Sequence, residues 1–324
     1  LQTSEKEGLY MKAIAIEKYG EDSTFRLVDV TVPRPQAGQV QVAVRAFSIN
    51  PMDVAGRMGM LSAPFTDNWS FPLVLGWDFA GDVVALGEGA AESGLAVGDR
   101  VFGALPSAHA ANNGSYSEFC VADVTKIAKL PAGLSYAQGA ALPIAGMTAY
   151  RAITSSLNVR PGQHILVQGG AGGVGSLAVQ VAKQRGAFVA ATAGPAHAEL
   201  LREYGVDEVI DYHTTDPAAV LHDYDGVFDT VGDIATGLKV LKSDGTLITV
   251  AAQPSQAQQH DEKKHVAFQF TDGRTADLDA LGELVASGKV KQVIQTVPFT
   301  PEAVSQAHEA VAGRHVSGKI VVVR

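Results

Sequence analysis

Only one cysteine, Cys120, occurs in 324 residues. A disulfide within the chain is therefore excluded, as is any zinc site that needs two thiolates. Chains without disulfides are typical of reducing compartments, so a cytoplasmic setting is expected. No apolar run approaches the roughly 18–20 residues of a membrane helix, so no membrane partner is expected. Positive charge is also short: 25 Lys and Arg against 34 Asp and Glu give a net charge of −9. No basic run stands out, which argues against nucleic acid as a partner. Charged residues make up 18% and hydrophobic residues 46%, an ordinary globular composition. The length suggests about two domains, large enough to bury a core without staples. Residues 1–10 are polar, precede Met11 and lack the apolar stretch of a secretory signal. They are read as a tag or frayed extension outside the fold.

From residue 11 to about 130 the pattern is short strands and turns. Strands are expected at 11–17, 39–47 and 82–86, punctuated by Pro33, Pro35, Gly38, Pro51, Gly87, Gly89, Gly94 and Gly98. After Pro131 strands and helices alternate. A helix is expected at 134–155 with Pro143 and Gly146 interrupting it, a buried strand at 164–168 and a helix at 174–185 ended by Gly186. Further strands are expected at 188–192, 206–212, 226–230 and 246–251, with a helix at 199–204 closed by Gly205. This rhythm implies an α/β fold with a parallel sheet covered by helices. The tail reads helix 276–287, strand 292–297, helix 301–311 and strand 319–323, while the polar segment 253–264 reads as a loop.

Gly170-Ala171-Gly172-Gly173-Val174-Gly175 fits G-x-G-x-x-G, following an expected strand and opening an expected helix. Gly170 would permit the tight turn, Gly172 would let the backbone approach a pyrophosphate, and Gly175 would let helix and strand pack closely. The helix N-terminus offers unpaired N–H groups to phosphates. A dinucleotide is therefore expected on this turn. An NAD-type site places an acid about 20 residues on. The second strand and its exit, residues 188–197, contain none. That absence leaves room for a 2′-phosphate and favours NADP(H). Thr192 in that strand is counted with the cofactor-binding residues.

Several separated motifs together resemble the medium-chain dehydrogenase/reductase superfamily, and within it the zinc-free quinone oxidoreductase branch. They are Asn50-Pro51-Met52-Asp53 with Arg57 and Gly59; Gly76-Trp77-Asp78-Phe79-Ala80-Gly81; Gly98-Asp99-Arg100-Val101; Ala141-Leu142-Pro143 through Thr148-Ala149; the glycine turn; and Gly318-Lys319-Ile320-Val321. The resemblance implies a GroES-like β-rich catalytic domain (11–130 with 277–324) and a Rossmann domain with a doubly wound parallel sheet (131–276). The cofactor would lie between them. It also implies that the positions of the catalytic zinc ligands are Asn50, Trp77 and about Ile144, a set unsuited to Zn²⁺. Zinc-independence is therefore expected.

The same resemblance implies that Asn50, Asp53 and Thr148 lie near the nicotinamide and substrate. Structural alternatives stand beside each role. Asn50 could be a turn residue before Pro51, Asp53 could pair with Arg57, and Thr148 could bond its own helix. Phe268 and Phe270 match the segment flanking the nicotinamide, or pack in the core. Val250 and Ala251 end a strand at the sheet edge where ligands bind. For a 2′-phosphate the resemblance points to His197, Tyr212 and Arg314. His197 stands where a Lys is usual, so phosphate affinity would weaken as the imidazole loses its proton. Enoyl-thioester reductases of the superfamily carry a donor Tyr where this chain has about Leu61, leaving solvent or the cofactor ribose as proton source. Without a Lewis acid, the substrate must accept hydride unaided, which points to a quinone or α,β-unsaturated carbonyl. Another activated carbonyl or enoyl substrate is the nearest alternative. A non-catalytic NADPH-binding protein is the alternative of another class. A homodimer is expected, with the strand at 246–252 as the candidate edge.

Overall fold

The computed structural model describes residues 9–61, 63–67, 69–260, 262–271, 273–314 and 316–324. Its first eight strands are β1 (Tyr10–Ile16), β2 (Arg26–Thr31), β3 (Gln39–Ser48), β4 (Leu73–Val74), β5 (Asp78–Leu86), β6 (Arg100–Ala104), β7 (Phe119–Asp123) and β8 (Ile127–Lys129). β2, β1 and β4 form one antiparallel sheet. Residues 1–8 of the expected extension lie outside the described residues. Tyr10, however, opens β1 and pairs with Thr31, so the fold starts one residue before Met11.

The second sheet runs β15-β16-β3-β5-β6-β8, with β7 also on β3. Its last two strands, β15 (Ile294–Pro298) and β16 (Lys319–Val323), come from the tail. β16 pairs antiparallel with β3, so the C-terminal segment returns to the β-rich half. β5 begins at Asp78, earlier than the sequence pattern suggests, and carries Asp78-Phe79-Ala80-Gly81 in the ladder. Gly81 permits the contact with β3: a Cβ there would lie 2.1 Å from the Ala43 carbonyl oxygen.

The third sheet is wholly parallel: β9 (His164–Gln168), β10 (Phe188–Ala193), β11 (Glu208–Asp211), β12 (Tyr224–Asp229), β13 (Leu241–Thr249) and β14 (His265–Phe268). The order is β11-β10-β9-β12-β13-β14. The chain therefore reverses direction across the sheet between β9 and β12, and ligands bind at such switch points. β9 and β10 are buried along nearly their whole length, which explains their continuous apolar runs. The fold class expected from the sequence is thus the one observed.

Three local expectations change. The single helix at 134–155 is three pieces: Tyr136–Ala140, Pro143–Arg151 and a π-helical turn Ala152–Ser156. Pro143 lacks an N–H and starts a new helix instead of continuing the old one. The loop at 253–264 contains a short helix, Gln256–Gln259, capped by Ser255. The strand near 246–252 is not an edge. β13 is flanked by β12 and β14, so β14 is the outer strand on that side.

Candidate active site

The dinucleotide turn leaves β9 at the switch point. Gly169 takes the left-handed backbone (φ +78°), one residue before the glycine the motif suggested. Its N–H donates to the Thr192 hydroxyl at 2.9 Å, and the Gly170 N–H donates to the Thr192 carbonyl at 2.9 Å. Thr192 thus shapes the turn from the next strand. Gly170 is required for space: a Cβ would come within 2.7 Å of the Ala191 Cβ. Gly175 opens the helix Gly175–Gln184, and its Cβ would lie 2.1 Å from the Gly169 carbonyl oxygen. Gly172 is different, because a Cβ there meets nothing nearer than Gly169 O at 3.5 Å. Its bare face is open. Ala171 is buried and Val174 half-buried, both behind the turn.

Asp229, which the sequence reading overlooked, organises the rest of this edge. It is fully buried at the end of β12. Oδ1 accepts the N–H groups of Val231 (3.0 Å), Gly232 (2.8 Å) and Asp233 (3.2 Å), and Oδ2 accepts the Thr249 hydroxyl at 2.8 Å. Val231 borders Gly169. Val250, half-buried, and Ala251, exposed, follow Thr249 on the same edge.

At the exit of β10, His197 Nδ1 lies 3.1 Å from the Ser317 hydroxyl. Arg314 is exposed and donates to the Val231 carbonyl at 3.3 Å, so it stands beside the turn. Tyr212 is 57% exposed and stacks on His213 at 4.2 Å between ring centroids. His213 in turn abuts Gly194 and is held by Asp211 at 3.0 Å. Ser317 and His213 were not singled out from the sequence, since no motif marks them.

A second cluster forms where β3 ends. Asn50 is 3% exposed and Asp53 fully buried. The Asn50 N–H donates to Asp53 Oδ2 at 2.6 Å, capping the helix Pro51–Arg57. The Asn50 side-chain amide donates to Asp78 Oδ2 at 2.8 Å, and its oxygen accepts from the Lys319 ammonium. Asp78 also accepts the Ser48 hydroxyl at 2.7 Å and the Ile144 N–H at 2.9 Å. Burial pushes the carboxyls of Asp53 and Asp78 up, and pushes the Lys319 ammonium down, against their mutual attraction.

Asp53 does not pair with Arg57. The Arg57 guanidinium turns away to the Ser23 carbonyl at 2.8 Å and over the Phe25 ring. Asp53 instead faces Tyr116, whose hydroxyl lies 3.0 Å from His308 Nε2. Through Oδ2 Asp53 holds the Asn50 N–H, while its Oδ1 has no partner among the described residues. Burial raises its pKa from 3.8 to about 7. Between those values the native state holds a proton that the unfolded chain has lost. Asp53 therefore favours the native state below 3.8, and that contribution is lost as pH rises through about 7. Urea unfolding from pH 5 to pH 8 should show wild type losing stability relative to Asp53→Asn, by up to about 1.4 kcal/mol per pH unit. Asn keeps the acceptor for the Asn50 N–H. Parallel pH profiles would refute this reading of Asp53.

Thr148 is buried in the helix Pro143–Arg151, and its carbonyl accepts the Gln269 amide at 3.0 Å. Gln269 lies between Phe268, half-buried on β14, and Phe270, which is 51% exposed. Phe270 meets Phe65 edge-on at 5.6 Å, joining the two halves of the chain. Tyr19 packs against Gly59, two residues before Leu61.

Residues 36–132 match the alcohol dehydrogenase GroES-like domain, and residues 204–322 match the zinc-binding dehydrogenase family. The chloroplast envelope quinone oxidoreductase homolog of Arabidopsis thaliana is 32% identical over 97% of this chain and 99% of its own. The chain belongs to the medium-chain dehydrogenase/reductase superfamily. It is quinone oxidoreductase-like within it. The chloroplastic NADPH-dependent alkenal/one oxidoreductase of the same plant is 34% identical over 96% of this chain and 79% of its own. The quinone oxidoreductase from Coxiella burnetii superposes with a TM-score of 0.87 at 31% identity, covering 98% of this chain and all of that one.

One matched family is described as zinc-binding, so the donor set of this superfamily member must be weighed. Asn50 has its amide oxygen taken by Lys319. Trp77 is buried, with its indole N–H on the Ser107 carbonyl at 3.2 Å and its ring against His109 and Trp69. Ile144 has an apolar side chain with no donor atom for a metal, and its backbone N–H goes to Asp78. An ammonium at this place also repels a cation. These residues do not fit a zinc ion. Among the described residues, no group of three or more His, Cys, Asp or Glu is placed to hold a metal.

Proposed function

We propose that this protein is a zinc-independent NADPH-dependent oxidoreductase that delivers hydride to a quinone or an α,β-unsaturated carbonyl. The observation that carries this reading is the replacement of the zinc donor set by the Asn50–Asp78–Lys319 cluster beside an open dinucleotide turn. Two relatives are named for quinone and for alkenal/one substrates, the second as NADPH-dependent. In this reading residues 11–130 with 277–324 form the catalytic domain, and 131–276 the dinucleotide domain.

The turn residues Gly170, Ala171, Gly172, Gly173, Val174 and Gly175 hold the pyrophosphate against the helix N-terminus. His197, Tyr212 and Arg314 receive the 2′-phosphate, with Ser317 orienting His197. Arg314 brings a planar fork suited to phosphate. The bound NADPH supplies the hydride. Asn50 donates an amide hydrogen to the substrate oxygen, where negative charge grows during transfer. Thr148, Val250 and Ala251 bound the nicotinamide end, and Phe268 and Phe270 flank it. The Phe65–Phe270 contact narrows the mouth and limits water.

Following NADPH absorbance across quinones, enals, enones and saturated aldehydes tests the reading. Turnover is expected for quinones or enones and not for saturated aldehydes, with tighter binding of NADPH than NADH. Turnover of saturated carbonyls alone would overturn the substrate class, and equal affinities would overturn the cofactor choice. Tight NADPH binding without any turnover would make this a non-catalytic binding protein.

A homodimer joined along the free edge of β14 completes the proposal, and a monomer in sedimentation would refute it. The cytoplasmic placement rests on the single cysteine, Cys120, which is buried and unpaired. Relatives carry chloroplastic and mitochondrial names, so cell fractionation decides. No helix among the described residues is long and apolar enough to cross a membrane.

A further inference from the structure

The start of β16 touches both halves of the site. Gly318 bridges Gly172 of the dinucleotide turn and donates its N–H to the Ala171 carbonyl at 3.1 Å. The next residue, Lys319, passes its side chain by Gly173, where a Cβ would come within 2.9 Å of the Lys319 Cδ. Its ammonium then reaches the Ile49 carbonyl at 2.9 Å and the Asn50 amide oxygen. Asp78 Oδ2 lies 3.8 Å from the same ammonium and takes one hydrogen of the Asn50 amide.

Asn50 is thus held by a cation at its oxygen and an anion at its nitrogen. Flipping the amide would set N–H against ammonium and oxygen against carboxylate, so only one orientation is allowed. Asp78 uses one of the two amide hydrogens and leaves the other. Two of the three ammonium hydrogens go to Ile49 and Asn50, Asp78 attracts the charge from 3.8 Å without a hydrogen bond, and the side chain is buried. Its work is exerted through Asn50. A donor fixed in advance needs no reorganisation when charge develops on the substrate.

We propose that Lys319 and Asp78 are positioning residues that lock the Asn50 amide, aiming its remaining hydrogen at the substrate oxygen in register with the dinucleotide turn. The inference rests on the hydride-transfer reading above. It goes further in naming what replaces a metal as organiser of the cleft: an internal ammonium–carboxylate pair. Because Gly318 adjoins Lys319, a shift of the turn is passed directly to Asn50.

Three variants test it: Lys319→Met, Lys319→Arg, and Lys319→Met combined with Asp78→Asn. Lys319→Met should lower kcat about 100-fold with a quinone or enone, as a misaimed donor does. The NADPH dissociation constant, read by fluorescence, should stay near the wild-type value, because Gly318 still holds the turn. Lys319→Arg should recover part of kcat. Lys319→Met leaves Asp78 as an unpaired buried charge and should unfold more easily. The double variant should regain stability but not kcat, separating positioning from folding. In protein labelled with ¹⁵N-asparagine, the Asn50 side-chain amide signals should shift in Lys319→Met before any cofactor is added. Wild-type kcat in a folded Lys319→Met or double variant would overturn the proposal. So would a loss of NADPH affinity matching the loss of kcat. Wild type that turns over no quinone or enone would instead defeat the functional reading.

Discussion

Gly172→Ala is expected to fold like the wild type and to lose NADPH binding by about 100-fold, about 2.7 kcal/mol. Gly175→Ala, three residues on, is expected to lose stability. The two glycines share a motif but face different neighbours. A Cβ on Gly172 meets only the Gly169 carbonyl oxygen, at 3.5 Å, an ordinary contact. Gly172 is not among the positive-φ glycines, so alanine brings no backbone strain there. The added methyl therefore occupies space that the pyrophosphate needs, at no cost to the apo fold. A Cβ on Gly175 would lie 2.1 Å from the Gly169 carbonyl oxygen and 3.0 Å from the Gly170 Cα. Both are backbone, so helix Gly175–Gln184 must move off β9, costing about 3 kcal/mol. Urea unfolding of the apo proteins and fluorescence titration with NADPH read the two quantities separately. If Gly172→Ala bound NADPH like wild type, the pyrophosphate would not lie on this face of the turn.

Asp229→Ala is expected to cost about 3 kcal/mol of stability, from the loss of four hydrogen bonds to one carboxylate, one of them from a buried hydroxyl. One carboxylate takes three successive backbone N–H groups and the Thr249 hydroxyl. The carboxylate and the Thr249 hydroxyl are fully buried, so that hydroxyl loses its acceptor with no water to replace it. Asp229→Asn keeps one oxygen for the backbone nest and can offer its amide hydrogens to the Thr249 oxygen, so its loss should be smaller, about 1–2 kcal/mol. Val231 lies between this nest, Gly169 and Arg314, so NADPH affinity should fall in Asp229→Ala as well. Equal stability of Asp229→Ala and wild type in urea would show that the loop after β12 is held by something else.

The parts of the fold legible in the sequence were those set by local pattern. The glycine turn, the apolar runs of β9 and β10 and the helix ended by Gly186 follow from short spacing rules. Pairings across long separations were not legible. Asp53 and Arg57 are spaced as helix neighbours, which suggested an ion pair. Packing of the helix Pro51–Arg57 instead turns one to Tyr116 and the other to Ser23 and Phe25. The strand near 246–252 looked like an edge because β14, only four residues long, gives little signal. Tyr212 was found as a candidate, while its neighbour His213, which abuts Gly194, was not.

The scarcity of cysteine and the lack of an acid in residues 188–197 are matters of residue type alone. By itself, the sequence determined the superfamily, the dinucleotide turn and the lack of a zinc donor set, because each is a matter of residue type at short spacing. Tertiary structure alone decided what the Asn50 side chain meets. Lys319 and Asn50 stand 269 residues apart, and only the return of β16 onto β3 brings the ammonium to the amide. Burial then makes those partners necessary, since a charge out of water must be met by the groups around it.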